Sequence, residues 1–235
     1  MPLTVERKFV ATDFSADAAL ALLSLHCAPD PKYPEGWIES VYFDDPNFTS
    51  YREKANGDAF KRKVRIRWYR ASLAESSGPA TAWLEIKDRV CAARSKVHAG
   101  VQADLGELLS TPLDTPYWTE LLESETSALG MPPLGRLRPS IEIRYYRHRF
   151  ICPVTGARIA LDTSISSPRA NPLSFPSCGA LATSRIVCES KFPGANVWTW
   201  NESLSRIGFR AGSFSKYGLF MEARLDQTEE RNNTK

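Results

Sequence analysis

Residues 61–70, KRKVRIRWYR, carry six basic side chains and no acid. Read as a β-strand, the run puts Lys61, Lys63, Arg65, Arg67 and Tyr69 on one face and Arg62, Val64, Ile66 and Trp68 on the other. The second face is mostly apolar and suits a core. The first is a row of cations that repel one another, so it requires a polyanion or water opposite it.

Three Glu-x-Lys pairs fall on other predicted strands: Glu6 with Lys8, Glu85 with Lys87, and Glu189 with Lys191. With the basic strand they predict a closed antiparallel barrel with a charged interior. The inward candidates are Lys8, Lys63, Arg65, Arg67, Lys87, Arg147, Arg158 and Lys191, with Glu6, Glu85 and Glu189 as the acids. Cations outnumber acids, which points to an anion with several charges along its length. A triphosphate or a polyphosphate chain fits, because arginine grips phosphate as a fork and lysine acts as a mobile point charge. The carboxylates would repel phosphate unless they hold a divalent metal that bridges it. Mg²⁺ or Mn²⁺ binds in this way, through one or two carboxylates plus phosphate oxygens. A solvated strand accounts for any single Glu-x-Lys pair. Glu189 differs because it lies in an otherwise apolar run, RIVCESKF, where an unpaired carboxylate is costly.

The elements that position these residues follow from pattern and punctuation. Strands are predicted over residues 3–10, 37–44, 61–70, 80–89, 138–150, 157–164 and 184–192. Helices are predicted over 16–26, 103–109, 117–128 and 196–207, with a short helix or turn at 48–54. Residues 90–100 are expected to leave the barrel as a loop. The stretch 166–178, rich in Ser and Pro, is another loop, and the polar tail from 226 to 235 is expected to be disordered. Trp68 and Trp83 read as core residues, with nucleobase stacking the alternative. Trp198 and Trp200 would pack a helix on the barrel. His26, His98 and His148 read as surface or core residues, and Asp162 as the partner of a neighbouring arginine.

The 235 residues fit one domain, taken as residues 1–225, and 43% apolar content is that of a globular chain. A net charge of +3 excludes coating nucleic acid by bulk charge, so any electropositive site must be local. Cys27, Cys91, Cys152, Cys178 and Cys188 are odd in number and lack metal-type spacing, which predicts free thiols in a reducing compartment. The start, MPLTVERKFV, does not read as a signal peptide, and no apolar run is long enough to span a bilayer. The expectation is a cytoplasmic chain that a membrane-protein partner could recruit.

Several runs in order resemble one known family. They are Ser40–Asp44, Tyr51-Arg52-Glu53-Lys54 to Gly57, and Arg62–Tyr69; then Glu85-Ile86-Lys87 with Ser95-Lys96; then Tyr145–Phe150 with Arg158–Thr163; and finally Glu189–Phe192 and Ser215-Lys216-Tyr217. Together they resemble the vacuolar transporter chaperone (VTC) domain of the CYTH-like triphosphate tunnel metalloenzyme superfamily, over about residues 4–222. The resemblance implies an α+β fold, an eight-stranded antiparallel β-barrel tunnel with flanking helices. In polymerase members of the family, the γ-phosphate of ATP passes to a growing polyphosphate chain with a divalent metal, usually Mn²⁺. By position, the phosphate-gripping residues are Lys8, Arg65, Arg67, Lys87, Arg147, Arg158 and Lys216, with Lys96 a weaker carry-over. The metal-holding carboxylate falls on Glu189, which Glu6 or Glu85 would assist.

Thr4 stands where hydrolase relatives carry the first Glu of Glu-x-Glu-x-Lys, which favours the polymerase branch. Ser213 stands where the polymerase pattern has a second basic residue before Lys216. The leading expectation is a polyphosphate polymerase using ATP or another triphosphate. The alternatives are a triphosphatase of the same fold, a non-catalytic polyphosphate-binding module and a nucleic-acid binder, the last disfavoured.

Overall fold

Alternation of apolar and polar residues sets the strands, and the register of those strands decides which charges meet. The computed structural model describes residues 4–91, 93–176, 179–193 and 201–233. Trp198, Trp200 and Cys178, with the first part of the helix expected at 196–207, lie outside the described residues. Among the described residues, eleven strands form one sheet in the order β11 (Arg210–Ala211), β1 (Thr4–Thr12), β10 (Arg185–Pro193), β8 (Arg158–Ser167), β7 (Arg138–Ile151), β3 (Glu35–Asp44), β4 (Phe60–Arg70), β5 (Pro79–Val90) and β6 (Ala93–Asp104), with β2 (Ala28–Pro29) pairing β7 and β9 (Leu181–Ala182) pairing β8. This corrects the expected closed eight-stranded barrel. Eight strands are long, but three two-residue strands add to them, and the path ends at β11 and β6 without closing. The chain forms two compact units.

The first unit comprises Met1–Trp37, Tyr145–Ser166 and Ala182–Ser215. Strand β1 (Thr4–Thr12) pairs antiparallel with β10 (Arg185–Pro193), which pairs with β8 (Arg158–Ser167). Phe9 and Ala11 of β1 and Ile186, Cys188 and Phe192 of β10 are buried in its core. Lys8 and Glu189, at the alternate positions, take the other face. The Ala- and Leu-rich helix α1 (Ala16–His26) seals the core with Ala19 and Leu23. Two-residue strands β2 (Ala28–Pro29), β9 (Leu181–Ala182) and β11 (Arg210–Ala211) and helix α5 (Asn201–Arg206) complete the elements that lie in or border this unit.

The second unit comprises Ile38–Arg144, Ser167–Leu181 and Lys216–Lys235. It holds most of β3 (Glu35–Asp44), then α2 (Thr49–Ala55), β4 (Phe60–Arg70), β5 (Pro79–Val90) and β6 (Ala93–Asp104). Helices α3 (Leu105–Ser110) and α4 (Tyr117–Ala128), the first half of β7 (Arg138–Ile151) and helix α6 (Lys216–Asn233) follow. Val41, Phe43, Val64, Ile66, Trp68, Leu84 and Ile86 form its core, and Trp68 stacks on Trp118 of α4 at 6.2 Å. The expected loop at 90–100 is instead the start of β6. There Val97, Ala99, Val101 and Ala103 alternate with Lys96, His98 and Gly100, and every residue from 93 to 104 is in register with β5. Residues 226–233, expected to be disordered, continue α6, which the buried Arg224 anchors through Ser167 and Gly179. Among the described residues, no helix is long and apolar enough to cross a membrane.

Charge also enters the core side of this unit. Glu39 shares a face of β3 with Val41 and Phe43 and is fully buried. Its carboxylate accepts from Trp68 Nε1 (2.9 Å), Arg70 Nε and Nη2 (2.7 and 2.8 Å) and Arg144 Nε (2.6 Å). Removing one partner of such a cluster strands the others without compensation. Glu39→Ala is therefore expected to lower unfolding stability by roughly 3–5 kcal/mol in urea titration. A loss under about 1 kcal/mol would show that water replaces the carboxylate at little cost.

Candidate functional site

Strands β4, β5 and β6 carry a lattice of polar side chains on one face of the second unit. Register places Lys63 opposite Lys87 and Lys87 opposite Lys96. The next row is Arg65, Glu85 and His98, and the row after it is Arg67, Trp83 and Gly100. Glu85, 3% exposed, is the counter-ion of this face. Its Oε2 accepts from Arg65 Nε at 2.6 Å and lies 2.5 Å from Arg65 Nη2 and 3.7 Å from Arg67 Nη1. Its Oε1 lies 3.2 Å from Lys96 Nζ and 3.8 Å from His98 Nε2. Burial pushes the Glu85 carboxyl up, but Arg65, Arg67 and Lys87 outweigh it and hold the group far below the usual carboxylate range.

β3 closes the arrangement. Arg67 Nε donates to Ser40 Oγ at 3.0 Å, and Arg65 Nη1 donates to Tyr42 OH at 2.6 Å. Burial raises the Tyr42 hydroxyl, yet Arg65, Arg67 and Lys63 together pull it down to about 7. Tyr42 stacks on Tyr217 at 4.9 Å, next to Lys216 at the start of α6. The Tyr217 hydroxyl donates to Asp44 Oδ2 at 2.7 Å. Lys87 shows what one carboxylate leaves uncompensated. Desolvation and the neighbouring guanidiniums lower its ammonium to about 8, against the opposing pull of Glu85.

The first unit carries a second face. Lys8 lies opposite Glu189, Glu6 opposite Lys191, and Lys191 opposite Arg158. Two carboxylates converge on one ammonium: Lys8 Nζ is 3.3 Å from Glu6 Oε1 and 3.6 Å from Glu189 Oε2. Lys191 Nζ lies 3.1 Å from Glu189 Oε1. Burial raises Glu189, but Lys8, Lys191 and Arg147 prevail and bring its carboxyl to about 2. Arg147 is locked by the fully buried Asp162, with Nε–Oδ1 at 2.6 Å and Nη2–Oδ2 at 2.8 Å.

The donor sets differ in what they could hold. The Arg65 guanidinium holds Oε2 of Glu85, while Oε1 has only Lys96 at 3.2 Å and His98 at 3.8 Å, so the metal role expected for Glu85 would fall to Oε1. Glu189 and Glu6 already converge on a cation and touch only lysines, through contacts longer than 3 Å. They fit a divalent ion bound through one or two carboxylates plus phosphate oxygens. Among the described residues, no group of three or more His, Cys, Asp or Glu side chains could form an all-protein cage.

The structure therefore gathers Lys63, Arg65, Arg67, Lys87, Lys96 and Glu85 on one face, and Glu6, Lys8, Arg158, Glu189 and Lys191 on the other. Arg147 touches the latter through its field on Glu189. Lys216 precedes Tyr217, whose ring stacks on Tyr42, at the start of α6. Trp83, whose strand parity sets it on the charged face with Glu85 and Lys87, is half-buried there and stacks on His98 at 4.4 Å. His98, Ser40 and Tyr42 are site neighbours that pattern reasoning missed. Their strand parity with Lys96 and Arg65 becomes informative only once the register is known.

The VTC domain family profile matches residues 6–224. No curated protein sequence matches the chain. A Bacillus halodurans protein described as a candidate adenylate cyclase shares the fold, with a TM-score of 0.51, 11% identity, and coverage of 91% of this chain and 94% of that one. A Vibrio parahaemolyticus protein of the same description aligns with a TM-score of 0.40 at 13% identity, covering 87% of this chain and 82% of that one.

The depressed ammonium of Lys87 and phenol of Tyr42 give this face a proton signature. A polyanion bound beside them favours the protonated forms and raises both values. Inorganic tripolyphosphate binding at pH 8 is expected to take up protons, and affinity should fall as pH rises from about 7 to 9.5. Calorimetry in two buffers of different ionisation enthalpy measures the uptake. Lys87→Met should reduce it, and buffer-independent heats would contradict the assignment.

Proposed function

Because the chain belongs to the VTC domain family, we propose that it is a metal-dependent phosphotransferase, a polyphosphate polymerase that moves the γ-phosphoryl of ATP onto a growing polyphosphate chain. One observation carries this reading: five cations, Lys63, Arg65, Arg67, Lys87 and Lys96, share a face with one buried carboxylate, Glu85. That surplus matches a substrate with several negative charges and no need of a protein nucleophile.

Phosphoryl transfer spreads charge over the transferred oxygens, so positioning and electrostatics supply most of the acceleration. In this reading Arg65 and Arg67 grip the triphosphate, pre-aimed by Glu85, Tyr42 and Ser40. Arg147, with Nε and Nη2 held by Asp162, offers its remaining nitrogen to phosphate, and Arg158 adds a second guanidinium. Lys8 and Lys87 neutralise the transferred or acceptor phosphate, and Lys63, Lys96, Lys191 and Lys216 bind the chain. Glu189, with Glu6, would hold Mn²⁺ or Mg²⁺. When bound, that cation supplies charge neutralisation at phosphate oxygens. The acceptor phosphate attacks directly, and with water as acceptor the same residues would make a triphosphatase.

The test is product analysis of the purified chain with ATP and Mn²⁺. A polyphosphate ladder with ADP is expected. Free phosphate without a ladder would make the protein a triphosphatase, and binding without turnover a binding module. Glu189→Gln should abolish metal-dependent turnover while phosphate binding persists or strengthens. Arg65→Ala should weaken triphosphate binding by roughly 1.5–3 kcal/mol, the scale of hydrogen bonds to charged groups. Normal turnover by Glu189→Gln would sink the metal assignment.

A further inference from the structure

The cationic face of the second unit does not stop at the row of Lys63, Lys87 and Lys96. One step further along the same strands, register sets Lys61 opposite Arg89 and Arg89 opposite Arg94. Side chains two residues apart share a face, so these three belong to the face that holds Arg65 and Glu85. The result is six cations in two adjacent rows of three. Strands lie about 4.8 Å apart, and successive rows about 6.7 Å apart.

Neither row contains an acid. Asp88 lies at the alternate parity and is taken by Arg62, at 2.8 Å to both carboxylate oxygens. Glu85 is one row further in and reaches one of the six, Lys96, at 3.2 Å. Like charges directly opposite one another destabilise a strand pair, and here the juxtaposition occurs in both strand pairs of both rows. Arg89, Arg94, Lys87 and Lys96 are exposed, and Lys61 is half-buried. Arg89 Nε donates to the carbonyl of Cys91 at 2.7 Å, which ties its guanidinium to the end of the hairpin.

We infer that this outer lattice, Lys61, Arg89 and Arg94, is a second polyanion site that takes the part of a linear phosphate chain beyond its first three phosphates. The inference rests on the reading that Arg65 and Arg67 bind phosphate. It adds that the protein senses chain length. The lattice is continuous with the Arg65 row along the strands, so one unbranched anion can occupy both. The row of Lys61, Arg89 and Arg94 and the adjacent row of Lys63, Lys87 and Lys96 are built of cations alone, with no aromatic ring for a base to stack on. That favours a phosphate chain over single-stranded nucleic acid, whose binding sites pair cations with stacking platforms.

The experiment compares the Kd of inorganic tripolyphosphate and of long linear polyphosphate for the full chain and two variants. One is Lys61→Gln/Arg89→Gln/Arg94→Gln. The other, Lys61→Gln/Arg94→Gln, spares the Arg89 hairpin contact. For long polyphosphate, Kd should rise roughly tenfold in the triple variant and about fourfold in the double, as expected for exposed ion pairs. Tripolyphosphate binding should change by less than about twofold in both. The salt dependence of long-chain binding should become shallower by about 0.7 in log–log slope per cation removed. Unchanged long-chain binding in the triple variant would overturn the lattice site and leave the Arg65 site standing. Failure of the parent chain to bind either phosphate would remove both. A single-stranded oligonucleotide of matched charge that binds as tightly as long polyphosphate, and weakens equally in the variants, would overturn the phosphate assignment in favour of nucleic acid.

Discussion

One buried carboxylate fixes the cationic sheet. Glu85 has both oxygens in contact with cations from β4 and β6, and it is nearly inaccessible to water. Without it, Arg65, Arg67 and Lys96 would face one another in a medium that screens poorly. With it, Arg65 is aimed so that its outer nitrogen reaches Tyr42, and Tyr42 in turn stacks on Tyr217 of α6. The position of a helix at the end of the chain is thus tied to an ion pair between two central strands. The compensation is incomplete, and the depressed ammonium of Lys87 records the remainder. That remainder is the electrostatic basis of the proposed function.

The apolar side of the same strands depends on a second buried anion. Glu39 neutralises Arg70 and Arg144 and accepts from Trp68, so one strand, β4, is anchored by a carboxylate on each face. A buried pair of this kind is weak evidence of net stability, because desolvation offsets much of the attraction. Its effect on register is clearer. A one-residue slip of β4 against β3 would put Arg70 and Trp68 on the face of Ser40 and Tyr42 and bury Arg65 and Arg67 beside Glu39, Val41 and Phe43.

Part of this was legible in the sequence. The period-two alternation of 61–70 gave the two faces of β4, and composition gave α1 and α4 at their observed bounds. β6 was not legible as a strand, since its apolar positions are two valines and two alanines between cations and small residues. Barrel closure could not be read either. Alternation tells which side of a strand is polar, whereas closure depends on pairing between strands distant in sequence. Tyr42 lies in a run that carries the family resemblance, but nothing in that run marks its hydroxyl as part of a site, and only the fold brings Arg65 to it. Glu39 did carry a signal, its parity with Val41 and Phe43, but a glutamate at a core position has no meaning until Arg70 is placed beside it.

The two site carboxylates, Glu85 and Glu189, differ in the partners they keep, and this separates their proposed roles. Glu85 is gripped by a guanidinium fork, whose planar geometry and permanent charge make it hard to displace. Freeing Glu85 for another ligand would leave Arg65 and Arg67 without a counter-ion, so its part is to hold those arginines in position. Glu189 is paired only with lysines, at 3.1 and 3.6 Å, and its side chain is 16% exposed. A lysine ammonium is a mobile point charge on a flexible stem, and an incoming phosphate competes for it directly. Under the proposed function, phosphate would draw Lys8 and Lys191 away, and Glu189 and Glu6 would become a vacant pair of oxygen ligands. Substrate binding and cation binding would then reinforce each other, because each would supply the charge that the other removes.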